Sequence, residues 1–154
     1  MAYLHDTDLW IKKYLVNGVG IRGTSELLSL SANTVLKRII LIAAKIKKPI
    51  ISLKQKYEVD EMRTFVGNKN NQTWIVYGIN RETKEVADFS VGRRTNRTLN
   101  KVISTLLLSD ASQLTTDKLS NYRFLIPKNI HSTKNWGTNH IERKNLMLRT
   151  HLKR

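Results

Sequence analysis

Tyr57-Glu58-Val59-Asp60-Glu61-Met62-Arg63-Thr64-Phe65-Val66 is where the chain changes its hydrophobic period. Before it, apolar residues recur at helical spacing; here they alternate, imperfectly, as in a strand with two faces. The cluster Gly67-Asn68-Lys69-Asn70-Asn71 predicts a turn, and Thr73-Trp74-Ile75-Val76-Tyr77-Gly78-Ile79 a second strand. Asn80-Arg81-Glu82-Thr83 makes another turn before a third strand over 85–92. Short turns between successive strands predict an antiparallel meander.

Working outward, a helix is expected over about 95–108, with Leu99, Val102, Ile103, Leu106 and Leu107 on its buried face. A short strand follows at 113–117, ending on Asp117. Phe124-Leu125-Ile126 reads as a last strand, stopped by Pro127, and Thr138 can cap a closing helix. Three antiparallel strands, a helix, two further strands and a helix is the order of the ribonuclease H-like fold. Strand one there lies beside strand four and parallel to it. Asp60 and Asp117 then become neighbours, with Glu142 reaching in from the last helix.

The region before residue 57 reads differently. A helix capped by Asp6 or Thr7 and carrying Trp10, Ile11, Tyr14 and Leu15 on one face runs to about Val16, where Asn17-Gly18-Val19-Gly20 breaks it. Residues 21–28 form a short second helix, Ser29-Leu30-Ser31 a turn, and 32–46 a third helix, with Val35, Leu36, Ile39, Ile40 and Ala43 at the spacing of a buried face. This is the helix-turn-helix plan, with serine at 29 where glycine is common. Ser31 would cap the recognition helix, leaving Asn33, Thr34, Lys37 and Arg38 to face DNA: Asn and Arg suit bidentate base contacts, Lys suits phosphate. A three-helix bundle with a solvated basic face is the plainer alternative. The expected organisation is therefore α+β: a helix-turn-helix module at 1–48, a basic linker at 49–56, and a ribonuclease H-like domain of mixed sheet and flanking helices at 57–154.

Charge points the same way. The 154 residues carry 27 Lys and Arg against 12 Asp and Glu, a net +15, with a pI near 10.3. Such a chain attracts polyanions, nucleic acid first. Without cysteine, disulfides, thiolate chemistry and zinc ribbons are excluded. The longest apolar run, 39–44, is six residues, far too short to cross a bilayer, and the N-terminus lacks the pattern of a signal peptide. A cytoplasmic, nucleoid-associated protein without a membrane partner is expected.

Asn139-His140-Ile141-Glu142-Arg143-Lys144-Asn145 opens the last helix. Glu142 is the sole acid between Lys118 and Arg154, and a carboxylate in so positive a field prefers to stay ionised. It is either an ordinary neighbour of arginine on a solvated helix, or a metal-binding carboxylate ringed by cations that hold a phosphate backbone. Asn145 and Arg149 fall at the spacing of the same helical face. Glu61 should point away from Asp60 by strand alternation and is the alternative first ligand. A Tyr122 nucleophile is disfavoured, since no Arg/His/Arg constellation surrounds it.

Val59-Asp60-Glu61-Met62, Thr116-Asp117 with Tyr122 beyond, and His140-Ile141-Glu142-Arg143-Lys144-Asn145-Leu146 with Leu148-Arg149 and His151-Leu152 together resemble the catalytic chain of insertion-sequence-one family transposases. The likeness implies that Asp60, Asp117 and Glu142 form an Asp-Asp-Glu triad, separated by 57 and 25 residues. It implies DNA cleavage and strand transfer at the ends of an insertion sequence, with Mg²⁺ or Mn²⁺ as cofactor. Two such ions would lie about 3.5–4 Å apart. Double-stranded DNA, both terminal repeats and target, would be the partner, and the working form a homodimer or higher oligomer. Asn139, His140 and Asn145 would support the triad, with the role of His140 left open, while Arg143, Lys144 and Arg149 would hold DNA. Relatives carry a cysteine zinc finger ahead of the helix-turn-helix and continue beyond the glutamate helix, so a copy truncated at both ends is expected. The alternative function is a catalytically inactive, truncated transposase acting as a helix-turn-helix DNA-binding protein.

Overall fold

The structure, a computed structural model, describes residues 3–47, 49–65, 68–133 and 137–152. Val66 and Gly67, at the first expected turn, and Lys48 in the expected linker lie outside those residues. The chain divides into two compact units, residues 1–47 with 148–154, and residues 48–147.

The first unit holds α1 (Tyr3–Val16), α2 (Ile21–Leu27) and α3 (Ala32–Ala44). Asp6 falls in the first turn of α1, not at its cap, so that helix starts earlier than its polar residues suggest. Ser31 does cap α3: its Oγ accepts from the Thr34 N–H at 3.1 Å. Ile11, Thr24 and Val35 are fully buried and Ile42 nearly so. Leu36 and Ile40 are 43% and 60% exposed, against the expectation of a buried face. The two neighbouring helices cover only a narrow stripe of α3, the one through Val35, Ile39 and Ile42. Ser29 adopts φ 52 in the turn between α2 and α3, the left-handed conformation that glycine takes without steric cost.

The second unit is a five-stranded mixed sheet in the order β3-β2-β1-β4-β5. β1 (Lys56–Phe65), β2 (Gln72–Asn80) and β3 (Val86–Gly92) form the meander. α4 (Asn96–Leu108) crosses back over the sheet, and β4 (Gln113–Thr116) pairs with β1 in parallel, in register from Lys56/Gln113 to Val59/Thr116. β5 (His131–Ser132) adds in parallel beyond β4, and α6 (Asn139–Leu152) closes the chain. Alternation along β1 assigns its two faces. Tyr57 and Val59 join Leu99, Val102, Ile103 and Leu106 of α4 in the core, while Glu58 and Asp60 point to the opposite face, toward α6.

Phe124-Leu125-Ile126 is not a strand. Tyr122–Leu125 forms a one-turn helix, α5, with Tyr122 and Ile126 buried and Phe124 84% exposed. Three apolar residues before a proline carry no period that separates strand from helix. The backbone bonds from Tyr122 to Leu119 and from Ile126 to Tyr122 wind the segment so that Tyr122 and Ile126 reach the core.

Ser29→Gly should raise the stability of the first unit by about 0.5–1 kcal/mol, since it relieves a side chain held at positive φ. The difference in urea midpoint between the variant and the parent checks it; no gain would mean that the turn relaxes around serine.

Candidate active site

The site forms where β4 stops. Its pairing with β1 ends at Val59/Thr116, so the next residue of each strand, Asp60 and Asp117, stand level at the open end. One carboxylate oxygen from each of Asp60, Glu61 and Asp117 lies within 4.8 Å of the others. Glu61 alternates to the face opposite Asp60, yet one of its oxygens lies within 4.8 Å of an Asp60 oxygen. Opposite faces therefore do not keep the two acids apart.

Asp60 is half-buried and held from two sides. Its Oδ1 accepts the Glu61 N–H at 2.8 Å, and its Oδ2 accepts Asn145 Nδ2 at 2.6 Å. Burial, with the charges of Glu61 and Asp117 adding to it, pushes its carboxyl up to about 6 against the pull of those hydrogen bonds. Glu61 is buried and fully engaged: Oε1 accepts Arg94 Nε at 3.0 Å and Nη2 at 2.6 Å, and Oε2 accepts the Tyr122 hydroxyl at 2.6 Å. Burial and then Glu61 raise the Tyr122 hydroxyl well above its ordinary range, so it stays a donor. Asp117 is exposed, with Oδ1 accepting the Leu119 N–H at 3.0 Å.

Glu142 does not join this group. Its exposed carboxylate accepts the hydroxyl of Thr138, the residue just before α6, at 2.7 Å. Asn145, one turn later, is buried, so the face expected to unite residues 142, 145 and 149 divides: Asn145 turns to the sheet while Glu142 and Arg149 face outward. Tyr77, whose role the sequence did not suggest, donates to Asn145 Oδ1 at 2.8 Å and to the Ile141 carbonyl at 3.2 Å, orienting the amide that bonds Asp60.

Glu58 was also missed. It is fully buried, and its Oε2 accepts the N–H groups of His140 and Ile141 at 3.1 and 3.0 Å, in the first turn of α6. Oε1 meets His140 Nδ1 at 2.6 Å, with Arg81 Nε at 3.6 Å. A carboxylate at a helix N-terminus satisfies orphan donors and the positive end of the dipole together. The one legible signal was an acid two residues before Asp60, on the same face of the strand. His140 thus anchors α6 through Glu58, and Asn139 begins that helix.

The expected DNA contacts vary in freedom. Asn33, Thr34 and Lys37 are exposed on α3, but Arg38 is half-buried and paired with Asp8 at 2.9 Å. Arg143 and Arg149 are exposed, whereas Lys144 is half-buried and donates to the Lys84 carbonyl at 3.0 Å. No single helix among the described residues is long and apolar enough to cross a membrane.

The IS1 transposase family matches residues 55–154, and the chain belongs to that family. Insertion element iso-IS1n protein InsB of Shigella dysenteriae is 38% identical over 97 residues, which cover 63% of this chain and 74% of that one. Insertion element IS1 2 protein InsB of Escherichia coli (strain K12) is 36% identical over 97 residues, covering 63% of this chain and 58% of the relative. The chain thus matches little more than half the length of the second relative. Among solved structures, a chain of the simian T-cell lymphotropic virus intasome in complex with PP2A regulatory subunit B56 gamma aligns at a TM-score of 0.46 and 17% identity, covering 91% of this chain and 58% of that one.

The raised Asp60 carboxyl has a consequence for stability. Without divalent metal, the folded state keeps a proton that the unfolded state releases, between pH 3.8 and about 6. The stability this contributes is present below the lower value and lost as pH rises through the upper one, about 2–3 kcal/mol in all. Asp60→Asn removes the dependence, so in EDTA its stability relative to the parent should increase from pH 4 to pH 7 by that order. Urea denaturation of both proteins measures the difference; a difference independent of pH would contradict the raised value.

Proposed function

We propose that this chain cleaves DNA and transfers DNA strands at the ends of an insertion sequence, using divalent metal held by Asp60, Asp117 and Glu142 in a ribonuclease H-like domain. The approach of Asp60 and Asp117 at the end of the β1–β4 pair carries the reading. The donors fit the metal: the closely placed carboxylates of Asp60 and Asp117 offer the hard oxygens that suit Mg²⁺ or Mn²⁺, and a cation there would relieve both the burial and the neighbouring charges that raise the Asp60 carboxyl. Asp60, Asp117 and Glu142 would hold such ions, whose chemistry would be to activate an attacking oxygen and stabilise a leaving one.

The protein's own residues do the positioning. Glu58 holds the first turn of α6, and Asn145, oriented by Tyr77, fixes Asp60. Glu142 lies between those two attachments along the helix and completes the ligand set on leaving Thr138. Glu61, whose oxygens are both occupied, positions Arg94 and is not itself a ligand. Water, and then the liberated 3′-hydroxyl, attack the phosphodiester without a covalent enzyme intermediate.

Residues 1–48 serve as a helix-turn-helix module that reads terminal-repeat DNA through Asn33 and Thr34, with Lys37 on phosphate; Arg38, paired with Asp8, supports the helix. Exposed Arg143 and Arg149 hold the duplex, with Lys144 nearby on α6. The working assembly is a homodimer or larger, acting in the cytoplasm on nucleoid DNA. A second reading, a DNA-binding protein without catalysis, is favoured by the engagement of Glu142 with Thr138 and of Glu61 with Arg94.

Nicking of labelled terminal-repeat DNA with Mn²⁺ separates them. Asp60→Asn, Asp117→Asn and Glu142→Gln should each reduce nicking by more than about a hundredfold while leaving DNA binding intact. A Glu142→Gln protein that cuts normally, beside a dead Glu61→Gln, would move the third ligand to Glu61. A wild type that binds its ends and never cuts them supports the second reading.

Asn33→Ala should weaken binding to the terminal repeat about tenfold and hardly change affinity for random duplex, because base contacts specify and phosphate contacts position. Electrophoretic titration of both DNAs tests this, and equal losses would remove α3 from the major groove.

A further inference from the structure

Near Glu61, the β1–β2 hairpin and the segment linking β3 to α4 border an open cleft of about 470 Å³. Its walls include Asn70, Asn71, Gln72, Trp74, Arg93 and Arg94. The guanidinium of Arg94 lies over the Trp74 ring, with 4.5 Å from Cζ to the ring centroid. Its edge is tied in plane to Glu61 by Nε and Nη2. One face thus rests on the indole while the rim is held, and the side chain remains 40% exposed, which leaves the opposite face as a flat cationic platform.

The rest of the lining adds chemistry suited to one kind of ligand. Asn68 Oδ1 accepts the N–H groups of Asn70 and Asn71 at 2.9 and 3.2 Å, presetting the hairpin tip that carries the amides. Exposed Asn70, Asn71 and Gln72 offer donors and acceptors for a base edge, and exposed Arg93 offers charge for a phosphate. Guanidinium planes stack nucleobases as aromatic rings do. The volume is of small-ligand size. Glu61 links the platform to the acidic group, since one of its oxygens lies within 4.8 Å of Asp60 and Asp117 oxygens.

We propose that this cleft binds an unpaired nucleotide of the DNA strand, its base stacked on the outer face of Arg94 and its phosphate against Arg93. The site rests on the reading of the chain as a DNA-cleaving protein and assigns it a hold on single-stranded DNA next to the cleavage point. Stacking on a flat, immobilised cation tolerates any base, so the site selects for lack of pairing and not for sequence.

Fluorescence anisotropy of the full chain in EDTA tests this with three labelled probes: a duplex with a short single-stranded overhang, the same duplex with an abasic overhang, and a blunt duplex. The wild type should bind the base-bearing overhang about tenfold more tightly than the abasic one. Arg94→Lys keeps the charge but not the plane, and should abolish that preference. Arg93→Gln should weaken both overhang probes alike. Equal affinity for base-bearing and abasic overhangs, equal affinity for overhang and blunt duplex, or an undiminished preference in Arg94→Lys would overturn the site. Should Arg94→Lys fail to fold, the exposed Asn71→Ala decides: a reduced preference for bases supports the site and an unchanged one removes it. Asp60→Asn should keep the preference, which separates the two readings. A protein that prefers bases but never cuts with Mn²⁺ retains this site and loses the catalytic assignment; one that cuts without the preference does the reverse.

Discussion

A buried carboxylate, Glu58, holds the last helix to the sheet. Taking that charge out of water costs several kcal/mol unless it is compensated. The structure supplies two backbone N–H groups of α6, the His140 ring and the Arg81 guanidinium. The compensation is directional, because the donors belong to the first turn of a helix whose dipole also favours an anion there. Moving α6 by a turn would strand Glu58 without partners. The helix is therefore fixed along its axis as well as docked, and Asn145 meets Asp60 as a consequence.

The same strand carries the opposing electrostatics. Asp60, Glu61 and Asp117 approach within a few ångströms, and the fold offsets that repulsion unequally. Glu61 receives a guanidinium and a phenol, whereas Asp60 receives an amide and a backbone N–H. Arginine neutralises its neighbour; an amide only orients it. Burial, with the charges of Glu61 and Asp117 adding to it, raises the Asp60 carboxyl to about 6. On the catalytic reading this is an advantage, since a half-buried acid with no cationic partner among the described residues is responsive to a cation.

Arg94 connects the acids to the surface. Held by Glu61 at its edge and by Trp74 on one face, it cannot swing freely as an exposed arginine would. Its immobilisation costs little further entropy when a ligand binds, which favours use as a rigid surface.

Much was legible in the residues. The switch from helical to alternating period at Tyr57, the turn residues between strands and the apolar spacing of α4 foretold the meander and the helix that covers it. Ser31 announced the start of α3 because capping is local chemistry, a side-chain oxygen reaching an N–H three residues on. Strand order also foretold that Asp60 and Asp117 would meet. What failed was whatever depends on distant surfaces. Leu36 and Ile40 fit a helical stripe, but how much of it is covered is decided by the neighbouring helices. Phe124-Leu125-Ile126 has strand-like composition, yet core space for Tyr122 and Ile126 wound it into a turn of helix. Periodicity and capping are written within a few residues, and so the sequence alone determined the helices of the first unit, the three-strand meander, α4, β4 and α6, but not α5 or β5. The partners of Glu58, the engagement of Glu61 with Arg94 and the outward turn of Glu142 lie across 23 to 83 residues or depend on how α6 docks. Only packing chooses among the partners available to a carboxylate, because a charge is satisfied by whichever donor the fold brings near.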